Sequence, residues 1–372
     1  MAVADFSAGP FGTAEAKRIT WVHPQGGFLG LSLLNGLLRI LTLGVYHFWG
    51  KTEVRQRIWS AVRIDGEPLE YRGTGWELFR GFLIIFFLVL LPLGLITFLA
   101  PLLWGSRVFG KGAVNSLLWL LLFALWGLGI HRARRYRLSR TLWRGIRGGL
   151  SGSSGRFAWT YLWTTLLIPL TIGWIVPWRA VILQRALFND TRFGDQAFNF
   201  QGRAGPLYKR YWLVWVSGII LFAAAMGGIG AILGPIMPAG GPAPGGMKPM
   251  TWDRIAGVVA ILFGALLIFA MIRAWYSSRM FNYFAAETTY QGGRFHLATT
   301  VPTLVWLVAT NYLIRTLSLT ILSPIAEARA TRYIIDRLSI EGATNWNTVN
   351  QNPDALLTSG EGLAEAFNVD GF

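Results

Sequence analysis

Residues 35–73 read NGLLRILTLGVYHFWGKTEVRQRIWSAVRIDGEPLEYRG and contain the local signals from which the rest of the chain can be understood. An apolar helix with one arginine is interrupted at Leu-Thr-Leu-Gly, where a glycine marks a break. A basic amphipathic helix follows. An Asp-Gly pair then predicts a β-hairpin between two short strands.

The same design recurs twice along the chain. An offset of 129 positions places Thr42 on Thr171, and an offset of 276 places Arg39 on Arg315. Self-similarity at fixed offsets indicates internal duplication. We therefore predict tandem internal repeats, and the predicted break positions are Thr42, Gly44, Thr171, Gly173 and Ser318.

The composition is that of a membrane protein. Of the 372 residues, 53% are hydrophobic and 14% are charged, which is too apolar for an ordinary soluble domain. We expect an all-α integral membrane protein with short β-hairpins and seven apolar segments. Four of these are predicted spans, near 81–104, 113–130, 212–236 and 256–272, and three are the repeated elements, near 28–49, 157–178 and 297–323.

The basic residues conflict with seven full spans. The regions 131–156 and 179–210 are both rich in arginine, yet the single apolar segment 157–178 separates them. Because basic loops of membrane proteins face the cytoplasm, we expect the three repeated elements to be bent or re-entrant, with the basic loops on the cytoplasmic side. The alternative is seven spans with successive copies inverted.

The chain divides into five predicted regions, with the glycine-rich segment 148–155 as a flexible joint between the halves. The acidic last region is expected either to be solvated or to dock a protein partner. The regions are the N-terminal segment 1–27, the first membrane repeat 28–150, the second membrane repeat 151–296, the third partial repeat 297–340 and the tail 341–372.

No catalytic or metal-binding pattern is present in the sequence. There are no cysteines, and the four histidines have no paired spacing. We therefore expect no enzyme, no metal and no cofactor. A net charge of +16 is compatible with nucleic-acid binding. The basic residues lie beside apolar segments, however, so we expect them to contact anionic lipid headgroups and we expect no nucleic-acid partner.

Two pairs of polar residues inside the apolar segments are the candidate binding site. Asn35 with Arg39, and Asn311 with Arg315, are each four residues apart and so share one helix face. The arginines either reach the headgroups or form a water-accessible cationic pocket for a lipid phosphate or a carboxylate. A further set of residues is predicted to anchor the chain at the membrane interface: Trp49, Trp59, Trp143 and Trp178.

The repeated element resembles the YjgN-like family of bacterial inner-membrane proteins, a family of unknown function. One departure lies in the last copy, where Thr320 replaces the glycine of the break. The resemblance implies a multi-pass protein of the bacterial inner (cytoplasmic) membrane and no reaction. The residues that carry it are Leu41–Gly44, Tyr46, Trp49, Arg55, Arg57, Asp65, Gly66, Tyr71, Gly73, Gly75, Asn311, Ala328, Arg329, Tyr333 and Gly360–Ala364.

Two functions remain open from the sequence. The favoured interpretation is a permease-like or lipid- or anion-binding membrane protein that uses the arginine pairs. The alternative is a scaffold or accessory subunit of a larger membrane complex, which binds its partner through the tail 341–372.

Overall fold

The computed structural model describes residues 19–96, 98–99, 111–233, 251–342 and 348–351. This part of the chain is mostly helical. The helices are α1 (Leu29–Leu41), α2 (His47–Ala61), α3 (Gly75–Ile96, with a π-turn at Phe86–Leu90), α4 (Lys111–Arg140), α5 (Ser154–Leu170), α6 (Val176–Asn189), α7 (Gly205–Leu233), α8 (Trp252–Ala286), α9 (Val301–Leu317) and α10 (Ser323–Ile335).

The strands form three small antiparallel sheets, so the expectation of an all-α protein was too narrow. The sheets have the orders β1-β2-β3, β4-β5-β6-β7-β8 and β9-β10-β11-β12. The strands are β1 (Ile19–Trp21), β2 (Val62–Ile64), β3 (Glu67–Pro68), β4 (Glu70–Tyr71), β5 (Thr141–Trp143), β6 (Ile146–Leu150), β7 (Thr191–Phe193), β8 (Gln196–Ala197), β9 (Asn199–Phe200), β10 (Thr288–Tyr290), β11 (Gly293–Leu297) and β12 (Leu338–Glu341).

Three segments of the chain have the same organisation, in which two paired strands enclose a pair of helices, and each such segment is called a unit. The first unit is 19–64, the middle unit is 146–193 and the third unit is 293–341. In them Ile19 pairs with Ile64, Gly148 with Phe193, and Phe295 with Ile340. These three registers lie at the offsets of 129 and 276 that the sequence predicts. Each helix pair therefore begins and ends at the same place, beside its own two strands.

The break between the helices has one hydrogen-bonding pattern in all three units. The hydroxyl of Thr42 donates to the Leu38 carbonyl (2.7 Å) and accepts from the Tyr46 amide (2.9 Å). Thr171 and Ser318 make the equivalent pair of bonds. A small hydroxyl side chain therefore ends the first helix and holds the turn, which explains why threonine or serine stands at this position.

The long helices also start and finish beside paired strands. β4, before α3, pairs with β5, after α4, and β9, before α7, pairs with β10, after α8. Every helix pair in the described residues thus extends from the strands and returns to them.

Three of the described helices are long and apolar enough to cross a membrane: Gly75–Ile96, Gly205–Leu233 and Trp252–Ala286. They contain residues 81–96 of the predicted span 81–104, residues 212–233 of the span 212–236, and the whole of the span 256–272. The predicted span 113–130 lies within α4. The count of seven apolar segments and the internal duplication stay predictions.

Two local predictions have different outcomes. The Asp65-Gly66 turn is confirmed, since β2 and β3 pair with Ile64 opposite Glu67 and both turn residues have positive φ. The prediction of a flexible joint at 148–155 is wrong. Gly148 and Leu150 are buried in β6 and pair with β7, and α5 begins at Ser154.

Candidate functional site

The candidate site is a pocket of about 240 Å³ between the first and third units. Its residues come from α1 and α2 on one side, and from the break of the third unit with the adjoining ends of α9 and α10 on the other. Arg39 and Arg315, which are 276 residues apart in the sequence, both line it. The pocket lining is Asn35, Gly36, Arg39, Tyr46, His47, Gly50, Lys51, Val54, Arg315, Thr320, Ile321, Ser323, Pro324 and Glu327.

Close packing at one glycine brings the two units together. A Cβ atom on Gly36 would lie 2.6 Å from Ile321 Cγ2, so no larger residue fits there without a shift. The third unit's break therefore lies against the middle of α1. This contact places Arg39 beside Thr320.

Arg39 connects the two units directly. Its Nη2 donates a hydrogen bond of 2.9 Å to the hydroxyl of Thr320, and the side chain is half-buried. Thr320 has φ 69 and Leu319 has φ 48, so the break holds two left-handed residues without a glycine. The position that departs from the family pattern in the sequence is thus the one that Arg39 contacts.

The two predicted asparagines have a different role from the arginines. Asn35 Nδ2 donates to the Gly50 carbonyl (3.3 Å), and Asn311 Nδ2 donates to the Ala326 carbonyl (3.1 Å). Each amide therefore fastens the two helices of its own unit. Within the described residues, both Oδ1 atoms are buried without a hydrogen-bond partner. Asn35 lines the pocket and Asn311 does not.

The charge of the pocket is positive. Its lining contains Arg39, Lys51 and Arg315 and one carboxylate, Glu327. Arg315 is exposed. Guanidinium groups offer several donors in a fixed plane, which suits carboxylate and phosphate oxygens. The arrangement can therefore hold an anionic group by charge-assisted hydrogen bonds.

The four predicted anchor tryptophans make contacts inside the protein. Trp143 is 1% exposed, and its ring packs 5.8 Å from Phe193. Trp59 Nε1 donates to the Thr141 hydroxyl at 2.8 Å. Trp49 packs 5.6 Å from Phe79, and Trp178 packs 5.5 Å from Trp163. These contacts hold the first unit against α3 and the neighbouring sheet, and the helices of the middle unit against each other.

Two polar contacts of the structure are not predicted by any pattern in the sequence. Arg140 Nη2 forms a salt bridge of 2.7 Å with Glu77, and Tyr136 donates to the same carboxylate, so α4 is tied to α3. His131 Nδ1 lies 2.9 Å from the Ser154 hydroxyl, with the ring fully buried. No motif marks these residues, because their partners lie 23 to 63 positions away. Within the described ranges, no group of three or more His, Cys, Asp or Glu side chains could hold a metal.

Comparisons with known proteins give a family and no activity. A family model described as "Bacterial protein of unknown function (DUF898)" matches residues 21–366. The "Inner membrane protein YjgN" of Salmonella typhimurium is 28% identical over 151 residues, which are 41% of this chain and 35% of that relative. The chain therefore spans about a third of the relative's length in this match. No solved structure matches the chain.

Proposed function

The chain belongs to this family of bacterial proteins of unknown function, and we propose that it is a multi-pass inner-membrane protein that binds an anionic group between its first and third units. The observation that supports this proposal is the pocket that Arg39 and Arg315 share. The role is one of binding, without catalysis.

Helix lengths and strand pairing support a membrane arrangement with re-entrant units. α1 has 13 residues and α5 and α9 have 17 each, so they are about 20 to 25 Å long, less than a hydrocarbon core of about 30 Å. Since each unit also returns to its starting strands, the three units are re-entrant and α3, α4, α7 and α8 are the spans. The strand layer and its arginines face the cytoplasm.

This arrangement places the pocket within the membrane. An arginine at that depth is costly unless it faces water, protein or an anion. Arg39 has its hydroxyl partner in Thr320, while Arg315 is exposed at the pocket. A lipid phosphate or a carboxylate bound between them would offset the cost of both charges. A permease-like role would follow if the contact between the units opened to release the anion.

Native mass spectrometry of the gently purified full chain tests the proposal. We expect one retained phospholipid or small anion on the wild type, and its loss by about tenfold or more in Arg39→Gln/Arg315→Gln. The matched control, Arg203→Gln/Arg210→Gln, removes two exposed charges elsewhere and should retain the ligand. Equal retention in both double variants, with both folded, would refute the site.

The topology has its own test, because the natural chain has no cysteine. Single cysteines at Ser153 and Gly205 lie on either side of the middle unit. A membrane-impermeant thiol reagent should label both from the cytoplasmic side. Labelling from opposite sides would exclude a re-entrant middle unit and favour seven spans.

A scaffold or accessory-subunit role is the second candidate, and it depends on the acidic tail. Asn350 accepts from the Asp195 amide (3.0 Å), and Gln351 accepts from the Arg147 amide (2.9 Å), so the described part of the tail binds its own chain. A partner would have to bind the rest of the tail or displace this contact. A stoichiometric protein partner in the native mass spectrum would favour this second function.

A further inference from the structure

A second groove lies on the third unit, outside the pocket described above. It is the crevice between α9 and α10 at the end nearest β12, with a volume of about 440 Å³. It has a counterpart of about 650 Å³ in the first unit, between the loop before α1 and α2. Five lining positions of the two grooves correspond at the offset of 276, from Leu31 and Leu307 to Ser60 and Asp336.

The two grooves differ in charge. At two corresponding positions, Glu53 and Gln56 line the first groove and Arg329 and Arg332 line the third. Arg337 is a further cation of the third groove, and Asp336 is its carboxylate. The charged residues of the first groove are Glu53, Arg57 and Arg63, whereas the third groove has three arginines and Asp336. The third groove is therefore the more positive of the two and attracts anions more strongly.

Contacts within the protein orient these arginines and leave some of their N–H donors available. Arg329 Nη2 donates to the Thr310 hydroxyl (2.9 Å). Arg337 lies 3.8 Å above the ring of Tyr333. Arg332 pairs with Asp336 at 3.3 Å and donates to His23 Nε2 at 3.1 Å. Because a guanidinium has five N–H donors, each of these arginines keeps donors for a phosphate oxygen.

An aromatic residue stands beside the cations. Trp306 lines the groove, and 70% of its surface is exposed. Exposed tryptophan beside arginine is typical of the headgroup level of a bilayer. The groove also lies close to the strand layer, which the proposed topology places at the cytoplasmic face.

We propose that this groove binds the phosphate of an anionic phospholipid headgroup through Arg329 and Arg332, with Trp306 packed beside the glycerol and the first acyl carbons. The depth of the groove in the membrane depends on the proposed topology. The phosphate site itself does not depend on the pocket of Arg39 and Arg315. The groove of the first unit, with Glu53 in place of an arginine, binds such a headgroup more weakly.

Lipid retention tests this site in the full chain. The purified protein is exchanged into equal amounts of phosphatidylglycerol and phosphatidylcholine and analysed by native mass spectrometry. The wild type should prefer phosphatidylglycerol, and Arg329→Gln/Arg332→Gln should reduce that preference about tenfold. Arg203→Gln/Arg210→Gln removes the same charge from another surface and should keep it. An unchanged preference in Arg329→Gln/Arg332→Gln would refute the site.

Two further measurements distinguish a lipid site in this groove from a lipid site in the pocket and from a site for a small phosphate. Arg39→Gln/Arg315→Gln should lose the anion of the pocket and still retain the phosphatidylglycerol that Arg329→Gln/Arg332→Gln loses, so the pocket and the groove can fail independently. Loss of that phosphatidylglycerol in Arg39→Gln/Arg315→Gln alone would assign the lipid to the pocket instead. Glycerol 3-phosphate at millimolar concentration should leave the lipid bound. Its displacement of the lipid would identify a site for a small phosphate rather than for a lipid.

A spectroscopic measurement covers the case in which the arginine variants do not fold. Trp306→Cys in the naturally cysteine-free chain carries a small fluorophore, and the lipids carry bromine near the headgroup. Brominated phosphatidylglycerol should quench the label more strongly than brominated phosphatidylcholine at the same mole fraction. Equal quenching by the two lipids would overturn the proposal.

Discussion

The first and third units face each other across a polar pocket, while the middle unit packs against long helices on two sides. In the outer units, Arg39 and Arg315 occupy corresponding positions at the pocket. The corresponding residue of the middle unit is Ile168. The three breaks share their hydrogen bonds, so the units differ in what surrounds them rather than in their own backbone.

The break of the middle unit is hydrogen-bonded to a long helix, whereas the break of the first unit is exposed. In the middle unit, Trp215 Nε1 of α7 donates to the Ile172 carbonyl (2.8 Å), and Tyr211 donates to the Gly173 carbonyl (2.8 Å). In the first unit, Leu43 is 95% exposed. One kind of turn therefore contacts a long helix in the middle unit, is an exposed tip in the first unit, and packs against α1 in the third unit.

Glycine substitutions should produce the largest difference between the two interfaces. A Cβ on Gly127 of α4 would lie 3.0 Å from the Ala158 Cα, which is backbone, whereas a Cβ on Gly36 meets the side chain of Ile321. Gly127→Val should cost about 3 kcal/mol and Gly36→Val about 1–2 kcal/mol, because a side chain yields more easily than a helix.

Thermal unfolding in detergent measures both changes. Gly30→Val in α1 is the control, since nothing lies within 4 Å of a Cβ there. Ile321→Ala should recover part of the loss in Gly36→Val. If Gly30→Val and Gly36→Val are equally destabilised, the close contact between the first and third units is not formed.

Acidification should weaken the contact between α4, which contains His131, and the middle unit, which contains Ser154. The pKa of His131 is lowered from 6.5 to about 4. Burial is the main cause, and the positive charges of Arg135, Arg134 and Arg132 contribute to the same decrease. The unfolded chain therefore takes up a proton first as the pH falls. The stability that comes from neutral His131 is complete above pH 6.5 and is lost progressively toward pH 4.

Between pH 7.5 and 5.5 this loss amounts to roughly 1 kcal/mol. It should disappear in His131→Asn, which keeps a polar group near Ser154. Labelling kinetics of single cysteines in α5 and in α1, measured at both pH values, locate the change. Labelling in α5 that does not change between the two pH values would contradict the assignment to the contact of His131 with Ser154.

A substitution in the third break should have the smallest effect on stability. Thr320→Gly removes the hydroxyl that Arg39 contacts, at a cost of about 1 kcal/mol. It also relieves a left-handed residue at φ 69, which offsets most of that cost. We expect little change in unfolding temperature and an approximately threefold weaker retention of the anion, because Arg39 loses the partner that orients it.

Leu319→Gly is the matched control, because it relieves the neighbouring left-handed residue at φ 48 without touching Arg39. It should leave anion retention at the wild-type level. Retention that falls equally in both variants would assign the effect to the flexibility of the break, and the hydroxyl would have no role of its own.

The sequence predicted features that depend on neighbouring residues. Hydropathy predicted the apolar helices, and the recurrence of the Leu-Thr-Leu-Gly pattern predicted the breaks. In the structure, the hydroxyl residue of each break bonds to a carbonyl four positions away. The Asp65-Gly66 hairpin follows from the same kind of local chemistry. The sheets were predicted only as hairpins, since strand pairs such as β6 with β7 join residues about forty positions apart.

The candidate site could be predicted only in part. The sequence offset of 276 predicts that Arg39 and Arg315 are equivalent, but it does not predict which two units are in contact. Asn35 and Asn311 were grouped with the arginines from their spacing on one helix face, and they fasten helices within each unit instead. Spacing assigns a face of a helix, whereas the partner of that face depends on packing.

By itself, the sequence determined that this is an apolar chain in which a similar segment recurs, with arginines at corresponding positions in the first and last copies. Those properties depend on composition and on contacts within a few residues. Only the tertiary structure decided that the first and third units are neighbours, with Gly36 against Ile321 and Arg39 against Thr320. The physical reason is that close packing depends on the shapes of two surfaces nearly 300 residues apart, which no local pattern encodes.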